Sequence, residues 1–215
     1  MPPFVISLIA IVILALVFTV GSMWLRGRVY AKLERAVSSG NLDEFFRRVD
    51  SHASRALLAP YGRELLRFRA LALGGDRAAM AEQFNRLMRL KLNDYERSCV
   101  LTEGFNGLAA AGDATHCRRI VEAMATAGFT TKALAAYRRH LAVALERKPE
   151  EAKGLESSYG ALRGVRRGYV AYLLMRAREA TGDKVAAESY RREACALYGC
   201  AASELDSRAR VNTTV

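Results

Sequence analysis

FNGLAAAGDATHCRRIVEAM, residues 105–124, turns on its middle. Gly112 is followed by Asp113, and beyond the pair Cys117, Ile120, Val121 and Met124 recur at helical spacing. Glycine readily takes the left-handed backbone that closes a helix. An aspartate just after it can offer a side-chain oxygen to the amides that open the next helix. The stretch therefore reads as helix, tight corner, helix.

The same corner returns along the chain. Gly40-Asn41, Gly75-Asp76, Gly112-Asp113 and Gly182-Asp183 lie about 35, 37 and 70 residues apart, the last interval being two periods. The absent corner should fall near residue 147, in Glu146-Arg147-Lys148-Pro149-Glu150, where Pro149 suits the first turn of a new helix. Leu65, Leu66, Phe68, Leu71 and Leu73 precede one corner, and Met80, Phe84, Leu87 and Met88 follow it as a stripe. Asn93 with Glu96 has the form of a capping box. Gly128 should close the helix that starts after Gly112-Asp113, with Thr130 or Thr131 capping the next through Leu145. With four prolines and much Ala, Leu and Arg, strands are not expected. The fold class is all-α. About five antiparallel hairpins of about 35 residues should stack as an α-solenoid over residues 26–200, followed by a polar, frayed tail at 201–215.

The N-terminus is of another kind. Residues 4–25 carry no charge, and Arg26 is the first charged side chain. Such a helix measures about 33 Å, against a bilayer core of about 30 Å. A cleaved signal would want a basic start, a shorter apolar core and a small-residue cleavage site. Met1-Pro2-Pro3 is uncharged, and Met23-Trp24-Leu25 continues the apolar run past Val20-Gly21-Ser22. A buried core helix is rarely apolar on every face for six turns. Residues 1–25 are thus expected to be a single transmembrane anchor. Trp24 suits the headgroup layer, with Arg26 and Arg28 just outside it. Basic flanks stay on the cytoplasmic side, and Arg26, Arg28, Lys32 and Arg35 all follow the run. The N-terminus should lie outside and the remaining chain in the cytoplasm.

Lys and Arg number 33 against 22 Asp and Glu, a formal charge of +11. The excess suits lipid headgroups, nucleic acid or an acidic protein, and is also ordinary for a cytoplasmic face. Arg163, Arg166 and Arg167, interleaved with Gly164, Gly168 and Tyr169, form one candidate contact with an anionic surface. Arg138-Arg139-His140 and Arg147-Lys148 form another. Solvated helix faces paired with carboxylates such as Glu146, Glu150 and Glu151 are the favoured explanation of such clusters.

Nothing in the sequence has the form of a catalytic, cofactor or metal site. His52, His116 and His140 do not pair in ligand spacing, and no phosphate loop, nucleophile elbow or His-Glu-x-x-His motif occurs. Ser157-Ser158-Tyr159-Gly160 reads as a turn. Cys99, Cys117, Cys195 and Cys200 show no Cys-x-x-Cys spacing. Cys195 and Cys200 would point about 140° apart on a continuous helix, unless Gly199 ends it. No enzyme activity, cofactor or metal is expected.

A helix pair per 34–35 residues resembles the tetratricopeptide family. The best match is the last unit. There Leu174, Gly182, Ala187 and Ala194 fall at the spacings of that family's Leu, corner Gly and two small packing residues. In three units the family's small first-helix residue is replaced by Phe68, Phe105 and Met175. The resemblance implies a groove that takes an extended or helical peptide from an unidentified protein partner. The pentatricopeptide family is similar in period, and Met124 with Gly128 resembles the end of its second helix. That likeness implies an RNA partner, though paired base-reading positions cannot be placed. The expected function is a membrane-tethered interaction scaffold. Its partners are the bilayer through residues 4–25 and a protein or peptide, with anionic lipid a further candidate and nucleic acid the alternative.

Overall fold

The computed structural model describes residues 3–213, with side chains from Ile11 onward; the part of the apolar run at residues 4–10 therefore has no described side chains. The described residues are helical, with no strand. The chain divides into two compact units, Met1–Gly74 and Gly75–Val215, where the sequence suggests one domain after the anchor.

The first unit is built on α1 (Pro3–Ser38), followed by α2 (Leu42–Val49), α3 (His52–Leu57) and α4 (Pro60–Gly74). Its core is small. Leu33 and Ala36, near the end of α1, pack with Phe45, Val49, Leu66 and Ala70. α2 begins at the expected corner: Gly40 is left-handed at φ +71°, and the Asn41 side chain accepts the Glu44 amide at 3.1 Å.

The second unit holds α5 (Arg77–Met88), α6 (Asp94–Ala110), α7 (Ala114–Thr126) and α8 (Thr131–His140). After a π-helical turn (Leu141–Leu145) and a 3-10 turn (Pro149–Ala152) come α9 (Leu155–Tyr159), α10 (Gly164–Thr181) and α11 (Lys184–Tyr198). Each cap follows the sequence. Asp76 accepts the Ala79 amide, Asp113 that of His116, Thr130 that of Ala133 and Asp183 that of Ala186. Asn93 and Glu96 form the capping box. Gly75, Gly112, Gly128 and Gly182 are all left-handed. The Gly75-Asp76 corner falls on the division between units.

At the absent corner an arginine does the glycine's work. Arg147 is the one non-glycine residue with positive φ among those described, at +56°. Its left-handed backbone costs about 1–2 kcal/mol in an L-residue. The preceding turn widens to meet it, with the Glu146 amide bonding Leu141 O at 3.0 Å and the Lys148 amide bonding Ala142 O at 2.9 Å. Pro149 opens the following 3-10 turn, but the expected second helix breaks there, and α9 has only five residues. Ser157, Ser158 and Tyr159, read as a turn, lie in that helix, which stops before Gly160.

α10 is the central helix of this unit. Eight consecutive residues, 168–175, are buried. Gly168 lets α11 approach: a Cβ there would stand 3.2 Å from Leu197 Cβ. Gly104 does the same in α6, where a Cβ would overlap the Phe84 ring of α5. The stretch from residue 201 differs from the expected frayed tail. α12 (Leu205–Arg208) buries Leu205, and Ala209 is buried just beyond it. The Val211 amide donates to Asn106 Oδ1 at 3.1 Å, which ties this stretch to α6. Leu205, Ala209 and Val211, scattered among alanines and polar residues, do not announce such docking in the sequence.

Candidate functional site

The first candidate surface is α1. Its side chains from Ile11 to Leu25 are exposed apart from a half-buried Ser22, with Leu14 72% and Phe18 77% accessible. The helix is long and apolar enough to cross a membrane. Its two described hydroxyls there bond within the helix, Thr19 to Ala15 O at 2.7 Å and Ser22 to Thr19 O at 2.8 Å. No polar group of theirs then requires water. The Arg28 guanidinium lies over the Trp24 ring, 3.8 Å from its centre. Arg26, Arg28, Lys32 and Arg35 are exposed, and none meets a carboxylate among the described residues.

The cluster at the start of α10 is only partly free. Arg167 donates to Glu193 of α11 at 2.6 Å and lies over Tyr159, 4.8 Å from the ring centre. Hydrogen bonding to Glu193, then to Tyr159, drives its guanidinium pKa up. Arg163 bonds the carbonyls of Gly160 and Leu162, both at 2.8 Å. Arg166 is exposed and has no ionic partner among the described residues. The three arginines thus occupy three different environments.

The second unit contains a cavity of about 240 Å³. Gly112 and Ala144 line it beside Arg147, Arg176, Glu179 and Asp206. Arg176 donates to Glu179 at 3.0 Å and to Asp206 at 2.5 Å, and its guanidinium stands 5.6 Å from the Tyr172 ring centre. Glu179 also accepts from Arg191 at 2.5 Å. These charges satisfy one another. Arg147 has no carboxylate among the described residues, because Glu146 beside it is held by Lys148 at 2.7 Å and Arg118 at 2.5 Å. Those partners, Lys148 first, pull the Glu146 carboxyl below its usual range. The two arginines and two carboxylates of the lining sum to zero, but Arg147 stands at the edge without an ion-pair carboxylate of its own, chemistry that fits a carboxylate or another small anionic group.

Tyr172, beside Arg176, belongs to an aromatic cluster. His140 is buried, stacked on Tyr169 and Tyr172 at 5.8 and 5.7 Å between ring centres, and edge-on to Phe105 at 5.6 Å. Its Nδ1 is 3.2 Å from the Tyr169 hydroxyl. Burial lowers its pKa to about 4, with Asp206 opposing and Arg176 assisting. His140 thus leaves the basic cluster in which its sequence neighbours Arg138 and Arg139 placed it. It is a neutral core residue at neutral pH.

The corner residues do structural work beyond capping. Asp113 is 2% exposed and meets Arg77 at 3.0 Å and His116 Nδ1 at 2.9 Å. Burial pulls its pKa up, but the His116 amide, Arg77 and the His116 ring outweigh it and hold the carboxyl below its ordinary value. Among the described residues no three His, Cys, Asp or Glu side chains are grouped to hold a metal.

Sequence reasoning did not find Tyr172, Arg176 and Asp206, which come together from α10 and α12. The one legible signal was positional: Arg147 stands where the 35-residue period demands a left-handed residue. No protein-family model, curated protein or solved structure matches this chain.

Proposed function

We propose that the protein is a membrane-tethered interaction scaffold. Residues 4–25 span the bilayer, and the helical hairpins face the cytoplasm as a tetratricopeptide-like solenoid that takes an extended peptide. The observation that carries the tether is the continuity of α1. One unbroken helix runs from the exposed apolar segment into a core that holds Leu33 and Ala36. From Leu25 to Leu33 is about 12 Å of helix, so the first unit begins within the headgroup layer. Arg26, Arg28, Lys32 and Arg35, none of which meets a carboxylate among the described residues, then face anionic headgroups.

The cavity beside Arg147 supports the scaffold role. It is too small for a folded partner and large enough for one acidic side chain or a chain-terminal carboxylate, which Arg147 would meet. Affinity capture on the full chain from detergent-solubilised membranes, with and without nuclease, tests the reading. A protein partner retained after nuclease and lost with Arg147→Glu is expected. Capture of RNA that nuclease abolishes would replace it with the nucleic-acid reading. Protease digestion of the C-terminal region from the non-cytoplasmic side of sealed vesicles would overturn the orientation.

A further inference from the structure

The end of α11 brings together two cysteines that the sequence sets apart. Gly199 is left-handed at φ +60°, and the Cys200 amide bonds Cys195 O at 3.1 Å. That six-to-one bond closes a Schellman motif, in which the residue after the glycine folds back over the residue four before it. The preceding corner shows what this does to side chains. There the Asp183 amide bonds Arg178 O at 3.0 Å around Gly182, and the two side chains form an ion pair at 3.9 Å. Cys195 and Cys200 occupy the same two positions around Gly199. Both are free, half-buried and packed on the core around α10. The Cys200 thiol is pushed up first by burial and then by the charge of Cys195, which also hydrogen-bonds it.

We infer that Cys195 and Cys200 form a vicinal dithiol that a small-molecule disulfide converts to an intramolecular disulfide without unwinding α11. In the first step the thiolate of one cysteine attacks the small disulfide. An S–S bond forms to the protein, and one small thiolate leaves. In the second step the other cysteine, having lost its proton to solvent, attacks the protein sulfur of that mixed disulfide. The protein S–S bond forms, and the second small thiolate leaves. The protein gives up two hydrogens, and one small disulfide becomes two thiols. The bridge would fasten the C-terminal end of α11 to the segment that leads to α12. In a reducing compartment the dithiol is the resting form. This inference does not rest on the membrane reading, because it follows from the local geometry of α11.

The test treats the full chain in detergent micelles with oxidised glutathione, followed by alkylation and peptide mass mapping. Wild-type protein should yield a peptide with Cys195 joined to Cys200 and short of two hydrogens. Its glutathione adduct at either position should stay at least about tenfold below that of the single variants, which lack the second attack. Cys195→Ser should hold glutathione on Cys200, and Cys200→Ser on Cys195. Cys117, whose thiol burial pushes up to about 12, should remain unmodified and serve as the internal control. Glutathione retained at both positions of the wild type would overturn the inference. So would two unreactive thiols, or a fall in helical circular dichroism on oxidation.

Discussion

α1 and α10 each present apolar side chains over several consecutive turns, and they meet opposite fates. In α10, residues 168–175 are all buried, against α11 and the turns that precede α10. In α1, Ile11 to Leu25 find almost no protein cover. The ion pairs divide in the same way. Arg167, Arg176 and Arg178 of α10 meet Glu193, Asp206 and Glu156, while Arg26, Arg28, Lys32 and Arg35 of α1 meet no carboxylate among the described residues. Both helices need surroundings without water. α10 has them from its own unit. α1 must obtain them elsewhere, and its basic flank suits the surface of what would supply them.

A charge placed in each helix should have the largest effects, and unequal ones. Leu173→Arg puts an unpaired cation at a site 1% exposed and should cost about 4 kcal/mol or more, enough to unfold the second unit in a denaturant titration. Leu14→Arg should leave that titration unchanged and instead oppose membrane insertion by about 3 kcal/mol, read as protein released by a carbonate wash. Equal loss of folding in both variants would remove the distinction between the helices.

The next effect is a pH dependence confined to the α10 core. His140 titrates near 6.5 when unfolded and near 4 when folded, so the unfolded state binds more protons between those values. The stability this gives is complete above about pH 6.5 and falls away towards pH 4, by about 3 kcal/mol at most. Denaturant midpoints between pH 7.5 and 4.5 should show the loss, and His140→Phe should flatten that part of the profile. An unaltered slope in the variant would place the acid sensitivity elsewhere.

The smallest effect belongs to Arg147. Replacing it with glycine relieves a left-handed side-chain conformation worth about 1–2 kcal/mol, offset by the freedom glycine has when unfolded. A net gain of up to about 1 kcal/mol is expected, with weaker binding of an acidic peptide. Gain of stability with undiminished binding would detach Arg147 from the cavity's function.

These regions were unequally legible. The helix corners announced themselves because glycine and a capping side chain are local necessities, as Gly112-Asp113 and Gly182-Asp183 bear out. The apolar run of α1 was equally plain, since freedom from charge is a one-dimensional property. α10 was legible as the first helix of the last unit, but its complete burial was not, because charged residues flank the apolar stretch and the packing depends on Gly168 admitting α11. The cavity was hidden for a related reason. Arg147, Arg176 and Asp206 lie far apart in sequence, and only the turn of the chain at residue 147 and the docking of α12 bring them to one place. The broken helix after Pro149 and the division at Gly75 likewise reflect packing that no single segment encodes.

Trp24 is the only tryptophan in the chain, so its fluorescence reports on the end of α1 alone. The full protein should be reconstituted into vesicles whose lipids carry bromine either near the headgroups or near the chain ends. Blue-shifted emission is expected, quenched more strongly by bromine near the headgroups, because Trp24 sits where the apolar run ends and Arg26 and Arg28 begin. Emission at the wavelength of a water-exposed indole, unaffected by bromine at either depth, would contradict the claim that α1 lies in the membrane.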